Sequence, residues 1–103
     1  MRVEWSPLAE EAWQNIATYI YEQFGVVALM DYSSLTDSWM DVLAKNPYAA
    51  KEEELLSHRA KTYRSIPMHK LSKVILYVED DVVYIADVWD TRRNPTSLVR
   101  RLR

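Results

Sequence analysis

The residues best suited to chemistry sit at the end of the chain. Arg92, Arg93, Arg100, Arg101 and Arg103 all fall within its last thirteen positions, and no acid follows Asp90. A guanidinium presents a planar fork of donors that fits the paired oxygens of a carboxylate or phosphate. So many of them together point to a surface that meets an anion. Upstream, His69-Lys70 sets an imidazole beside an ammonium just before an alternating apolar run, where the pair could bind phosphate or move a proton. Arg59, Lys61 and Arg64 add cations mid-chain. Lys61 and Arg64, three positions apart, face opposite sides of a strand and cannot serve one site. Arg64 is the better candidate, because it can share an end of the sheet with Arg92 and Arg93.

Each of these has a plainer account. His69-Lys70 reads as a polar turn, and Arg64 as part of a solvated strand face. Arg100, Arg101 and Arg103 suit a helix C-terminus on dipole grounds alone. Trp89 is a candidate for the binding surface or a cap on the core, and Asp90 can hold Arg92 or Arg93 by a salt bridge. Position at a strand exit favours the binding role for Arg92 and Arg93.

The charge distribution supports a local cationic face. Net charge is −2, but residues 1–63 carry 5 basic and 10 acidic side chains, and residues 64–103 carry 8 and 5. That split excludes a uniform nucleic-acid-binding coat. Cysteine is absent, which removes disulfides and thiolate metal sites. His58 and His69 are not at metal spacing, so no metal is expected, and no cofactor either. The single glycine excludes a Gly-rich phosphate loop, and there is no Gly-x-Ser-x-Gly elbow. No leader peptide or membrane-length apolar run is present, so a cytoplasmic protein without membrane contact is expected.

The elements that must position these groups follow from periodicity. Val3 and Trp5 alternate with charged neighbours as a first strand. Ser6-Pro7 opens a helix, with Ser as N-cap and Pro at the first turn. Leu8, Ala12, Ile16, Ile20 and Phe24 form its apolar stripe, widened by Ala9, Trp13 and Tyr19, and Gly25 is expected to end it as a left-handed cap. A second helix carries Ala28, Tyr32, Leu35, Trp39 and Leu43 on one face and stops at Asn46-Pro47. Residues 48–57 read as a solvated loop or helical turn. Lys61 to Ile66 reads as a strand ending at Pro67, and Lys73–Glu79 and Val82–Trp89 as a hairpin turning on Asp80-Asp81. Asn94-Pro95 opens a tail or short helix with Leu98, Val99 and Leu102 inward. The fold class is α+β, one domain over 1–103: an N-terminal strand, a helical hairpin and a mainly antiparallel three-stranded meander.

The ordered set Val3-Glu4-Trp5-Ser6-Pro7-Leu8-Ala9, Tyr19-Ile20-Tyr21-Glu22-Gln23-Phe24-Gly25, Leu43-Ala44-Lys45-Asn46-Pro47, His69-Lys70, Tyr77-Val78-Glu79-Asp80-Asp81 and Val88-Trp89-Asp90-Thr91-Arg92-Arg93 resembles the RelE/ParE superfamily of bacterial type II toxin–antitoxin systems. The resemblance implies a growth-inhibiting, plasmid-stabilising toxin held in a hetero-oligomer by a cognate antitoxin. One branch cleaves mRNA on the ribosome; the other inhibits DNA gyrase without chemistry. Many ribonuclease relatives carry His where this chain has Asp90, and no Tyr follows Tyr84. The resemblance therefore implies the gyrase branch, with Arg92, Arg93, Arg100, Arg101 and Trp89 on the target- or antitoxin-binding surface. In the nuclease alternative Arg64, His69, Lys70 and Arg92 would handle phosphate. A third alternative is a non-toxic interaction module of the same fold.

Overall fold

The computed structural model describes residues 1–102; Arg103 lies outside the described residues. The elements are β1 (Arg2–Trp5), α1 (Pro7–Phe24), α2 (Val26–Lys45), β2 (Lys51–Glu52), β3 (Arg64–His69), β4 (Ser72–Glu79), β5 (Val82–Asp90) and α3 (Ser97–Arg101). The strands form one sheet in the order β1-β5-β4-β3-β2, with β1 parallel to β5 and the other pairs antiparallel. This is the expected α+β architecture, with the first strand at an edge.

Ser6 does two jobs at the start of α1. Its hydroxyl oxygen accepts the Ala9 N–H at 3.0 Å, and its O–H donates to the Ala86 carbonyl at 2.9 Å. The helix is thereby capped and tied to β5 by one side chain. Ala9, Ala12, Ile16, Ala17 and Ile20 turn inward. Phe24, expected on this stripe, is 59 % exposed instead, with the Lys70 ammonium 5.8 Å from its ring centroid.

Gly25 alone joins the two helices. It does not form the expected left-handed cap: at φ 92°, ψ −176° it occupies an extended region that only glycine enters freely. Its N–H still closes α1 onto Tyr21 O at 2.9 Å, and its carbonyl receives Leu29 N–H at the start of α2. No atom lies within 4 Å of where a Cβ would stand, so a side chain there meets backbone strain and no clash. Gly25→Ala is expected to lower stability by about 1–3 kcal/mol in urea denaturation.

The hairpin is locked by a polar relay. Trp13 Nε1–H donates to Thr36 Oγ1 at 2.9 Å, and the Thr36 hydroxyl donates to Tyr32 O at 2.8 Å. The Trp13 and Tyr32 rings stack at 5.5 Å. α1 and α2 cover one face of the sheet and enclose Val74, Leu76, Val83, Ile85 and Val88.

A second, smaller core lies on the other face. There Leu56, Ile75, Ala86, Trp89 and Leu98 are buried under a helical turn at Glu54–Leu56 and under α3. Of the solvated loop or helical turn expected for residues 48–57, the helical turn is found: turns at Pro47–Ala49 and Glu54–Leu56 flank β2, with Ala50, Glu53 and Leu56 buried. The Glu53 carboxylate takes the Lys73 ammonium and the Leu55 N–H. Burial pushes its pKa up, but these partners outweigh it and hold it below the ordinary range.

β3 also departs from expectation. It starts at Arg64, not Lys61, and runs through Pro67 to His69. β2 pairs only with Ser65 and Arg64, so beyond them β3 is the sheet edge, where a missing N–H costs no ladder bond. The Asp80-Asp81 turn has both residues at positive φ, 53° and 60°. That is the primed turn a two-residue hairpin favours, and Asp tolerates it better than most side chains.

Candidate anion-binding site at one end of the sheet

Antiparallel register brings His69, Ser72 and Asp90 into one row across β3, β4 and β5. Tyr32 of α2 lies over this row, its ring edge-on to His69 at 5.2 Å. The hydroxyls of Tyr32 and Ser72 are buried and near one another, yet neither has a partner at full hydrogen-bond geometry. Burial raises the Tyr32 pKa, the Ser72 hydroxyl opposes that, and the Asp90 charge adds to it. The phenol stays neutral.

His69 Nδ1 accepts the Leu71 N–H at 3.1 Å, which puts the imidazole proton on Nε2. Burial and the neighbouring Lys70 charge both push its pKa below the ordinary 6.5. The native state therefore prefers the neutral ring. The stability this gives is present above the unfolded-state pKa and declines as pH falls from there toward the folded value. Proton-detected titration of the ring is expected to give a midpoint below 6.5 and the Nε2–H tautomer; a midpoint above it would contradict this placement.

Asp90 and Arg92 close the row. Arg92 Nε donates to Asp90 Oδ1 at 3.0 Å and Nη2 to Oδ2 at 2.6 Å, and the Arg92 main-chain N–H donates to Oδ1 at 2.9 Å. The guanidinium lies 3.9 Å from the Tyr19 ring centroid, a cation–π contact that fixes its plane. Arg92 holds the Asp90 carboxyl below its usual range against the opposing effect of burial. Thr91 ties the β5 exit to the β3–β4 turn, its N–H bonding Leu71 O at 3.1 Å and its hydroxyl Lys70 O at 2.6 Å.

His69, Lys70 and Arg92 thus gather at one end. Arg64 does not join them. It pairs with Leu76, four positions along β4 from Ser72, or roughly 13 Å at strand spacing. Its guanidinium donates to Ala50 O at 3.1 Å and sits over the Tyr48 ring. The expected sharing of a sheet end with Arg92 and Arg93 fails because β3 reaches that end only at His69, its last residue, and Arg64 is its first.

The tail arginines have different fates. Arg93 is exposed and lies over the Trp89 ring at 4.9 Å, and Arg100 is exposed. Arg101 is committed to the fold: Nε meets Asp87 Oδ2 at 2.6 Å and Nη2 meets Oδ1 at 3.2 Å. Trp89 is only 3 % exposed, which places it in the second core and not on the binding surface the sequence suggested. Bending of β5 at a bulge, where Ile75 and Leu76 pair with Asp87 and Ile85, leaves Ala86 as the extra residue beside Asp87.

Sequence reasoning missed Ser72, Asp87 and Tyr19 as parts of these constellations. A signal existed for two of them. Ser72 lies in phase with Val74 and Leu76, and Asp87 interrupts an apolar strand, where a buried acid requires a cation.

A large concavity lies elsewhere. A groove of about 760 Å³ runs between α1 and α2, lined by Trp13, Ala17, Tyr21, Leu29 and Met30 among others. Phe24, Val26 and Val27 expose further apolar surface at the hairpin tip. Its shape suits a partner's apolar side chains, and it carries none of the charged groups described above. Among the described residues no His, Asp or Glu cluster is placed to hold a metal, and no helix is long and apolar enough to cross a membrane.

Comparison with known proteins bears on the family and the fold. The family described as ParE toxin of type II toxin-antitoxin system, parDE, matches residues 3–95. No curated protein matches the chain by sequence. Among solved structures, a chain of the chromosomal ParDE toxin–antitoxin system from P. aeruginosa superposes with TM-score 0.70 at 11 % identity, covering 87 % of this chain and 95 % of that one. The YoeB dimer from Staphylococcus aureus gives 0.57 at 18 % identity, covering 84 % and 92 %. At these identities the two structures speak for the fold.

Proposed function

The chain belongs to the ParE toxin family of type II toxin–antitoxin systems, and we propose that it acts by gripping DNA gyrase, not by cutting RNA. The observation that carries this reading is the state of Asp90 and Arg92. RNA cleavage by attack of a 2′-hydroxyl needs a proton acceptor at that oxygen and a free cation for the developing charge. Here the only carboxylate in the row is ion-paired, and the Nε–Nη2 fork of the guanidinium beside it is already taken up by that carboxylate. Arg64, which a phosphate-handling set would need, is remote. Binding requires neither group to be free. Arg93 and Arg100, exposed at the β5 exit and on α3, supply the cationic contacts.

A cognate antitoxin would use the other surface. The groove between α1 and α2 fits the apolar face of an amphipathic helix. An acidic segment of the same partner would cover Arg93 and Arg100, and that part of the affinity should weaken with salt. The antitoxin-free protein is expected to inhibit gyrase supercoiling in vitro, with Arg93→Ala/Arg100→Ala impaired. Unchanged supercoiling at saturating protein would refute the gyrase reading.

A further inference from the structure

Three N–H donors of one residue converge on the Asp90 carboxylate: Nε and Nη2 of Arg92 and its own main-chain N–H. Such a fork plus an amide is what a phosphate oxygen pair would meet in a binding site. The Tyr19 face orients the guanidinium, and Thr91 pins the loop to the β3–β4 turn on two hydrogen bonds. The donors are therefore preorganised. His69 and Lys70 add a ring N–H and an ammonium at the same sheet end. The only acid in the row is the one already seated in the cradle.

We propose that the β5 exit is a phosphate cradle occupied in cis by the Asp90 carboxylate, and so closed to phosphate-bearing ligands until that charge is removed. A tethered carboxylate competes at high effective concentration with any anion from solution. A phosphate entering the cradle would also face a like charge at contact distance. This goes beyond the gyrase reading and does not depend on it, since it concerns what the native chain excludes.

The test is gain of binding. Association with a labelled single-stranded oligoribonucleotide is measured by anisotropy for the unaltered chain, Asp90→Asn and Asp90→Ala. The alanine variant covers the case in which the asparagine carbonyl re-forms one bond to Arg92. Asp81→Asn makes the same change in net charge at the far turn of the hairpin. Circular dichroism confirms that each variant is folded. At least one Asp90 variant is expected to bind about tenfold tighter or more, Asp81→Asn is expected to show no gain, and Asp90→Ala/Arg92→Ala is expected to fall back. Inorganic phosphate as competitor separates the sources: displacement at millimolar levels means the cradle takes the free anion, and resistance means it takes phosphate within a strand. No gain for either Asp90 variant, an equal gain for Asp81→Asn, or a gain that survives loss of Arg92 would overturn the proposal.

Discussion

Arg101→Ala is expected to destabilise the fold by about 3 kcal/mol, at the low end of the cost of breaking a buried ion pair. Asp87 is fully buried, whereas the Arg101 side chain keeps 23 % exposure, so water softens the loss only partly. The carboxylate left behind would retain its bond from Val88 N–H at 2.8 Å but no cation. In a domain whose whole stability is on the order of 5–15 kcal/mol, that is a large fraction. Urea denaturation of Arg100→Ala provides the contrast. Its side chain is exposed on the same short helix, and a change within about 0.5 kcal/mol is expected. Replacing both partners, as in Asp87→Leu/Arg101→Met, should recover much of the loss, because no charge is then stranded. Equal midpoints for Arg101→Ala and Arg100→Ala would show that Arg101 is an ordinary tail cation.

Trp89→Ala is expected to cost about 3–5 kcal/mol, the range for emptying a buried aromatic site. The ring packs with Leu56, Ile75, Ala86 and Leu98 and carries Arg93 over its face. Its removal would leave a void between the sheet and α3. Trp89→Phe should lose less, since part of the volume remains. Because Trp89 and Arg101 both hold α3 in place, the double variant is expected to lose less than the sum of the two. A loss below about 1 kcal/mol for Trp89→Ala would return the ring to the surface role that its place near the arginines suggested.

Helix existence was legible because it rests on local signals. Ser6-Pro7, the four-residue apolar recurrence and Asn46-Pro47 all act within a turn or two of the chain. The β4–β5 hairpin was legible for the same reason. What escaped depends on register between distant segments. Arg64 and Arg92 look compatible on a sheet drawn from sequence, yet the antiparallel pairing sets Arg64 opposite Leu76, four positions along β4 from the row that Arg92 closes. Pro67 seemed a strand terminator because sequence does not say how far β2 reaches. Trp89 and Arg101 drew attention as binding residues through their neighbours in sequence; burial commits Trp89 to the core, and the ion pair with Asp87 commits Arg101 to the fold. The Asp90–Arg92 pair was accessible as a possibility, because two-residue spacing at a strand end allows it. Its bidentate form and the Tyr19 platform required the fold.

We propose that this toxin works by holding its target and not by cleaving RNA. Its most direct test is induction without antitoxin in growing bacteria, with rates of DNA and protein synthesis followed in the same culture by labelled precursors. DNA synthesis is expected to fall first while protein synthesis continues. Protein synthesis falling first, with new breaks within translated codons, would contradict it.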